Sequence, residues 1–346
     1  QLLPVPDQRV AGEATIDIGV RGTLEQPAAS GEIIVRNGTY EHLTYGTLIR
    51  NLDLTAAVPN AQTVRISLTG TDGRAGRINA EGRANLGERE PIVLDVEFGN
   101  MALVRRDDVR AAASGNLSYR GTATAGKLSG RVETNGVEVS LLGHMPPSVV
   151  TLDVIEVRDG QRIDATAAPA ETAPRVEEAP DETIALDLTL RMPNRVFVRG
   201  RGLDSEWQGD FDITGTISNP RVVGAIQVIR GTFDLVGTEF NLENSAISFD
   251  GGRQITPRLN IHATHEARDI TATIRVTGTP SAPELTLTST PSLPESEILA
   301  QVLFGRTSGE LGPAELVEIA MALDTLTGGG GGMSAGALGT LRETFG

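Results

Sequence analysis

The amino-acid sequence predicts a mainly β protein: an elongated, solenoid-like sheet that forms a groove with a hydrophobic interior and ends in short C-terminal α-helices. First, apolar residues alternate with polar ones along most of the chain, most clearly at Ile184, Leu186, Leu188 and Leu190. A period of two is typical of a strand with one apolar face. Second, 40 Gly and 18 Pro among 346 residues leave little room for long helices. Third, strand modules repeat along the chain, which predicts units that stack along an axis.

The same period of two recurs elsewhere, and Thr, Ser, Asp and Arg fill the alternate positions. Dipeptides that favour tight hairpin turns separate many of these stretches. At about ten residues for each strand and turn, the β region would form about 29 strands, and stacking at about 4.8 Å would make a rod about 140 Å long. The turn dipeptides are Asn37-Gly38, Asp72-Gly73, Asn135-Gly136, Asp159-Gly160 and Asp250-Gly251.

The repeat is clearest between two distant stretches. The segment from Gly22 to Pro27 returns from Gly215 to Pro220, and the register then holds without a gap through the following strand. Weaker copies begin at Gly121-Thr122 and at Gly278-Thr279. One such unit cannot bury its own apolar face, so neighbouring units must pack together.

The alternation divides the chain into four segments. Residues 1–164 and 183–290 carry the strand repeats of the groove. Residues 165–182 lose the alternation and are rich in Pro, Ala and acidic residues, which is typical of a loop or linker. Because the strand pattern resumes on both sides, we expect this segment to bulge from a continuous sheet. Residues 291–346 form a helical C-terminal segment.

Near the C-terminus the period changes to that of a helix. The spacing of Ser292 and Glu295 predicts a capping box, and Gly305 is a stop signal. A second helix is predicted from Pro313 to the Gly run at 328–332. We expect both helices to cap or plug the end of the groove, or to dock on a partner protein. Their apolar faces consist of Ile298, Leu299, Val302 and Leu303 in the first helix and Leu316, Ile319 and Leu323 in the second.

Charge and composition exclude several functions. The formal net charge of −15 would repel nucleic-acid phosphates and anionic membrane surfaces. With 8 Phe, 3 Tyr and 1 Trp, the chain also has few aromatic side chains on which bases could stack. We therefore expect no nucleic-acid partner.

The ends of the sequence and its lack of Cys bear on its cellular context. Without Cys there are no disulfides and no thiolate chemistry. The sequence shows neither a leader nor a long apolar span. Because it opens in mid-pattern at Gln1, we interpret it as a fragment of a longer protein whose anchor or export signal would lie upstream.

No arrangement of polar residues predicts catalysis. His262 and His265 lie near two acidic residues, but residues three apart in a strand point to opposite faces, whereas a zinc-binding pair needs i and i+4 on a helix. Acidic pairs such as Asp107-Asp108 suit glycoside hydrolysis, yet aromatic sugar platforms are lacking. Nucleophile-elbow, phosphate-loop and dinucleotide motifs are absent. We expect no enzyme activity, no cofactor and no metal.

The aliphatic strand faces support two interpretations. They form either the packed core of a solenoid or sandwich, or the wall of an open trough that carries acyl chains. Burying one CH₂ is worth about 0.8 kcal/mol, so two chains of about sixteen carbons would gain on the order of 25 kcal/mol in a trough. The residues that would line the trough are Ile184, Leu186, Leu188, Leu190, Phe211, Ile213, Ile226, Val228, Leu259, Ile261, Ile270, Ile274, Val276, Leu285 and Leu287.

Three motifs in the C-terminal half carry a family resemblance. They run from Arg191 to Gly209, from Leu242 to Phe249, and from Ser289 to Gly305, the last being the most specific. In this order they resemble the C-terminal region of the TamB family. The resemblance is strong over residues 183–327, and before that only the repeat rhythm carries over.

The resemblance implies a periplasmic protein of a diderm bacterium, tethered to the inner membrane by an N-terminal anchor absent from this fragment. It also implies a taco-shaped β-sheet whose hydrophobic groove carries phospholipids toward the outer membrane. The implied partner is a TamA-like outer-membrane barrel protein within the translocation and assembly module. A second hypothesis stays open, in which the chain is an assembly factor that pairs an exposed sheet edge with TamA or a client strand by β-augmentation.

Overall fold

The computed structural model describes residues 7–22, 27–60, 63–85, 92–122, 124–141, 157–158, 161–162 and 183–327. As the sequence predicts, the fold is mainly β, with two short α-helices at its C-terminal end. The elements are β1 Gln8–Gly22, β2 Pro27–His42, β3 Thr47–Asn60, β4 Thr63–Thr71, β5 Arg77–Asn85, β6 Ile92–Arg105, β7 Val109–Gly121, β8 Ala125–Ser140, β9 Val157–Arg158, β10 Gln161–Arg162, β11 Thr183–Gly200, β12 Leu203–Thr216, β13 Asn219–Leu235, β14 Thr238–Leu242, β15 Ala246–Asp250, β16 Arg258–Glu266, β17 Thr271–Thr279, β18 Ala282–Thr290, α1 Glu295–Phe304, a 3₁₀ turn Ser308–Glu310, and α2 Pro313–Thr327.

Sixteen of the strands form one long sheet. Apart from β14 and β15, its members follow one another in chain order, and nearly every pair is antiparallel. The exception is β8 and β11, which lie side by side and parallel, so the sheet is continuous across the chain segment that connects them. The strands β9 and β10 pair only with each other. The sheet is therefore mixed, with a single parallel pair among the strands described.

The strands β14 and β15 share one position in the sheet, between β13 and β16. Ser245 bridges the break between them, because its hydroxyl accepts a hydrogen bond from the N–H of His262 at 2.9 Å. The same hydroxyl donates to the His262 carbonyl at 3.1 Å. These bonds replace part of the ladder that the interrupted strand lacks, and the Ser245 side chain is accordingly buried.

Two of the predicted hairpin turns are wrong. Asn37-Gly38 lies inside β2 and Asn135-Gly136 lies inside β8, while Asp72-Gly73 does form the turn between β4 and β5. Asn37 adopts a left-handed φ of 50°, which suits both a hairpin turn and a bulge within a strand. In the part of the chain that the structure describes, the strands are therefore longer and fewer than predicted. Fifteen sheet positions at about 4.8 Å span about 70 Å rather than 140 Å.

Two further turn predictions differ in outcome. Asp250-Gly251 ends β15 and opens the loop to β16, as expected of a turn signal. Asp159-Gly160 lies outside the described residues.

Bulges in the strands fall along one line across the sheet, which we call the crease. In register, Met101 of β6 lies opposite Ala113 of β7, and Val196 of β11 lies opposite Trp207 of β12. A bulge bends its strand and increases the local twist. The register shifts on this line occur at Ala11/Glu13 in β1, Val35/Gly38 and Gly38/Tyr40 in β2, Arg50/Asp53 in β3, Phe98/Met101 and Ala102/Val104 in β6, Ala112/Ala113 in β7, Met192/Val196 in β11 and Glu206/Trp207 in β12. A further shift, at Ala57/Asn60, lies at the end of β3 and away from this line.

Buried side chains concentrate at the crease and under the helices. A single layer of sheet buries side chains only where it bends around them or where another element covers it. Two clusters lie at the crease, one around Phe98 and Met101 and the other around Val196 and Trp207. The third joins the sheet to the helices and contains Leu235, Phe240, Ala263, Ile270, Ala272, Ile274, Leu287, Ile298, Leu299, Ala300, Val302 and Ile319.

The helix boundaries follow the stop signal but not the predicted capping box. Gly305 ends α1 with a left-handed φ of 64°, as predicted. At the other end, Pro294 is the N-cap residue of α1 and no side chain caps the helix, so the box predicted from Ser292 is wrong. A reciprocal cap forms instead between Thr307 and Glu310, in the 3₁₀ turn.

Asp72 ties the β4–β5 turn to the end of β6. Its carboxylate accepts hydrogen bonds from the N–H groups of Arg74, Gly76 and Ala102 at 2.8, 2.9 and 3.3 Å, and from the Arg105 guanidinium at 2.9 Å. Burial raises the pKa of this carboxyl, but the three backbone hydrogen bonds and the charge of Arg105 outweigh burial and hold the pKa below its ordinary value. The ionised form therefore stabilises the folded chain.

We expect Asp72→Asn to lower the free energy of unfolding by about 2–3 kcal/mol at pH 7, because charge-assisted hydrogen bonds to a buried carboxylate are lost. Since the folded pKa is depressed, this stabilisation is full above the unfolded pKa and is lost as pH falls through the folded pKa. Denaturant unfolding should thus show the gap between wild type and variant narrowing below about pH 4. Asp107→Asn, at the exposed β6–β7 turn, is the control. A gap that stays constant to pH 3 would contradict the assigned role.

Candidate functional site: the apolar face

Alternation along the strands gives the sheet one polar and one apolar face. Cross-strand ion pairs cover the polar face, and Lys127 contacts Asp187 at 2.6 Å across the parallel β8–β11 pair. Each such exposed pair contributes little to stability. Their main effect is that the polar face is charged and hydrated. Other pairs on this face are Arg120–Asp95, Arg199–Asp204, Arg230–Glu206 and Arg258–Asp250.

No described helix covers the middle of the apolar face, which we call its open part. Leu188 of β11 lies opposite Ile213 of β12, and Leu190 lies opposite Phe211. Most of these side chains are only partly buried, although Phe211 is buried and contacts Phe249 edge-on, with ring centroids 5.5 Å apart. The sequence-predicted lining residues that are partly buried in this stretch are Ile184, Leu186, Leu188, Leu190, Ile213, Ile226, Val228, Leu259 and Ile261.

The far end of the apolar face is closed. Ile274 is 4% exposed and shares a cluster with Ile298 and Leu299 of α1, both 0% exposed. Five residues that the sequence analysis assigned to an open trough therefore lie in a packed cluster under the helices. The period of two cannot distinguish the two situations, because an open wall and a wall covered by a helix have the same alternation. The five are Ile270, Ile274, Val276, Leu285 and Leu287.

The helix residues divide between contact and exposure. Val302 is buried with Ile298 and Leu299, and its carbonyl accepts a hydrogen bond from the Thr238 hydroxyl at 3.3 Å. Leu303 packs against the same cluster, and Ile319 is the buried contact from α2. Leu316 is 46% exposed, so it does not share the buried face of Ile319. The side chain of Leu323 lies outside the described residues.

The apolar face extends further toward β1 than the predicted residue list. Phe98 and Met101 are buried at the crease, with Val96, Leu117 and Val132 packed beside them. The alternation of Ile92, Leu94, Val96 and Phe98 in β6 is the sequence signal that identifies this stretch. At the edge of the described sheet, the β1 residues Val10, Ile16, Ile18 and Val20 are between 48% and 68% exposed.

The polar residues considered for chemistry have structural contacts. His262 Nε2 lies 3.1 Å from the Asn260 side-chain oxygen, while His265 Nδ1 lies 2.7 Å from the Glu239 carbonyl. The two rings point to opposite faces of β16, as expected of residues three apart in a strand. Glu206 accepts hydrogen bonds from the Arg230 guanidinium and the Arg195 N–H, and the bond from Arg230 is the main cause that lowers the pKa of its carboxyl.

The comparisons with known proteins decide the family. The family model described as the TamB C-terminal domain matches residues 65–346. The chain belongs to the TamB family. It is also 25% identical, over 98% of its own length, to the translocation and assembly module subunit TamB of Haemophilus influenzae. It spans 26% of that relative's length. The match to the TamB model covers both the open middle and the helix-covered end of the apolar face.

Within the described ranges, neither α-helix is long and apolar enough to cross a membrane.

We expect Ile274→Asp to be far more destabilising than Leu188→Asp. Ile274 is sealed beneath α1, so a carboxylate there would be buried without a partner, which costs several kcal/mol. Leu188 is partly exposed, so its replacement stays hydrated. Denaturant unfolding should show that the free energy of unfolding of Ile274→Asp is lower than that of Leu188→Asp by at least about 2 kcal/mol. If both variants lost the same free energy of unfolding, the two positions would be equally covered.

Proposed function

We propose that the apolar face of this TamB-family chain binds the acyl chains of glycerophospholipids and forms part of a periplasmic conduit toward the outer membrane. The observation that supports this most is the row of partly exposed aliphatic side chains from β4 to β13, centred on Leu186, Leu188, Leu190 and Ile213. A soluble protein rarely exposes so long an apolar surface unless it binds something. Acyl chains suit it because they demand no directional bonds, only an apolar wall.

The energetics favour an open wall without catalytic residues. Transfer of each CH₂ from water to an apolar lining gains about 0.8 kcal/mol, so a lining along the route removes most of the barrier to moving a lipid through water. The polar face remains hydrated and keeps the chain soluble. We therefore propose transport without covalent chemistry.

We further propose that the acyl-binding stretch stops where α1 begins. The side chains of Ile298, Leu299 and Val302 occupy the space above β16, β17 and β18. In this arrangement, lipid could use only the part of the apolar face that precedes α1, and the helices would end the route.

The cellular setting belongs to the same proposal. The printed name of the relative describes a subunit of a translocation and assembly module. By family membership we propose a periplasmic location in a diderm bacterium, tethering to the inner membrane through a part of the protein outside this chain, and a TamA-like outer-membrane barrel as partner. The net charge of −15 fits this setting, because it gives no attraction to anionic membrane surfaces along the route.

A second candidate function rests on the sheet edges. Among the described strands, β1 and β18 each have a hydrogen-bonded neighbour on one side only. Such edges can accept a further strand by β-augmentation, either from a TamA-like partner or from a client protein. In this case the chain would be an assembly factor, and the apolar face would need no lipid.

Analysis of co-purified lipid separates the two functions. The 346-residue chain, purified without detergent, is extracted with organic solvent and the extract is analysed by mass spectrometry. Phospholipid in stoichiometric or greater amounts supports the conduit. A lipid-free extract, together with strand-dependent capture of a TamA-like barrel, would support the assembly factor instead.

We expect Leu188→Asp to lose bound phospholipid while the chain stays folded. Leu188 belongs to the open stretch and lies opposite Ile213 and Gly130, so a hydrated carboxylate there interrupts the apolar lining. The melting temperature should change little, and lipid per chain should fall by at least half. Gln227→Asp, an exposed position on the polar face of β13, should change neither. A large fall in the melting temperature of Leu188→Asp would show that this stretch is a packed core.

A further inference from the structure

A cleft opens on the polar face where β6, β7, β8 and β11 cross the crease. Its volume is about 840 Å³. The sheet register places three small residues side by side on its floor, because Ala102 lies opposite Ala112, and Ala112 lies opposite Gly136. Elsewhere on this face long charged side chains cover the strands, so the small residues leave the hollow. Nothing in the proposed conduit accounts for it.

Five arginines line this cleft, although acidic residues outnumber basic ones 45 to 30 in the whole chain. They come from β6, β7, β11 and the β4–β5 and β6–β7 turns, whereas β8 contributes none. The acidic side chains in the lining are Asp107 and Glu138. The arginines are Arg74, Arg105, Arg106, Arg110 and Arg195.

Two of the five guanidinium groups are already committed. Arg105 bonds to the carboxylate of Asp72 at 2.9 Å, and Arg106 holds Asp108 with two bonds of 2.8 and 2.9 Å. These two ion pairs hold the wall of the cleft in place. Since their charges are balanced, the positive charge available in the cleft comes from the other three arginines.

The remaining three arginines are available to a ligand. Arg110 is 4.0 Å from Glu138, and both side chains are more than half exposed, so this pair is weak. Neither Arg74 nor Arg195 forms a close ion pair with any residue that the structure describes, although the charge of Arg195 helps to lower the pKa of the Glu206 carboxyl. Arg195 has a left-handed φ of 60° at the β11 bulge, a conformation that few residues other than Gly adopt. The bulge carries this side chain to the cleft.

The cleft lies close to the rim of the apolar face. In β6, Met101 is buried at the crease, and the strand ends four residues later at Arg105. At about 3.3 Å per residue, the wall between crease and rim is only about 13 Å tall. A lipid whose acyl chains lie against the partly buried side chains beside this cluster, such as Val96 and Leu103, would therefore carry its headgroup to the rim, near the arginines.

We propose that this cleft binds a phosphate group, and that a phospholipid headgroup passing the rim is its source. Planar guanidinium groups bind phosphate oxygens with two parallel hydrogen bonds, and Arg74 of the β4–β5 turn, Arg110 of β7 and Arg195 of β11 all line this one cleft. The phosphate chemistry follows from the cleft itself. The lipid source rests on the proposed function.

Titration calorimetry at low salt tests the phosphate chemistry, with inorganic phosphate and glycerol 3-phosphate as probes and the 346-residue chain as the protein. We expect saturable binding that weakens with added salt. Arg110→Gln combined with Arg195→Gln should weaken binding at least about tenfold. Arg275→Gln, an exposed position on β17, should leave binding unchanged. Thermal melts should show that all variants remain folded.

Glu138→Gln separates a ligand site from a structural ion-pair network. In a ligand site Glu138 competes with the anion for Arg110, so its neutralisation should tighten phosphate binding about threefold. In a purely structural network, the same change would loosen Arg110 without improving binding. Absence of saturable binding, or equal binding by the double arginine variant and the wild type, would overturn the proposal.

The source of the phosphate is read from lipid extracted from the same double arginine variant. A fall in bound phospholipid, with the melt unchanged, supports the headgroup source. Unchanged lipid together with lost glycerol 3-phosphate binding leaves a site for soluble phosphate and rejects the headgroup source. If the wild-type chain binds phosphate but carries no lipid, the result contradicts the proposed lipid conduit and still supports the phosphate site.

Discussion

A sheet with one apolar face and no second layer must bend to bury any part of that face that no other element covers. The crease meets this constraint, because bulges in successive strands let the sheet fold around Phe98 and Met101 and again around Val196 and Trp207. These clusters hold the bend, and the side chains beyond them stay partly exposed. The cleft on the polar face arises at the same line, so both candidate binding surfaces depend on the bulges.

The polar face has a role in this arrangement beyond solubility. A register slip of one residue would bring every apolar side chain to the wrong face, so the pairing of long strands must be specified along their whole length. Opposite charges in register, such as Arg199 with Asp204 and Arg230 with Glu206, favour the correct pairing. Each ion pair adds little to the stability of the fold. Its main effect is to favour the correct register over a shifted one.

Much of this architecture follows from the sequence, and the rest does not, for definable reasons. The alternation through Leu186, Leu188 and Leu190 predicts both the strand and its apolar face, and Gly305 marks the end of α1. Asn37-Gly38 misleads because left-handed backbone serves a bulge as well as a hairpin. The arginine cleft could not be predicted, since its five arginines come from positions as distant as 74 and 195 and meet only through the register of four strands.

Alternation of apolar and polar residues does not show where the open part of the apolar face ends and the helix-covered part begins. The position of α1 sets this boundary. Ten residues of α-helix are about 15 Å long, which is about three strand spacings. This length is enough to reach across the three strands from β16 to β18, which contribute Ala263, Ile274 and Leu287 to the buried cluster. The aliphatic face is chemically the same on both sides of this limit. Under α1 its burial stabilises the fold, whereas beyond the reach of the helix the same kind of surface remains available to an acyl chain.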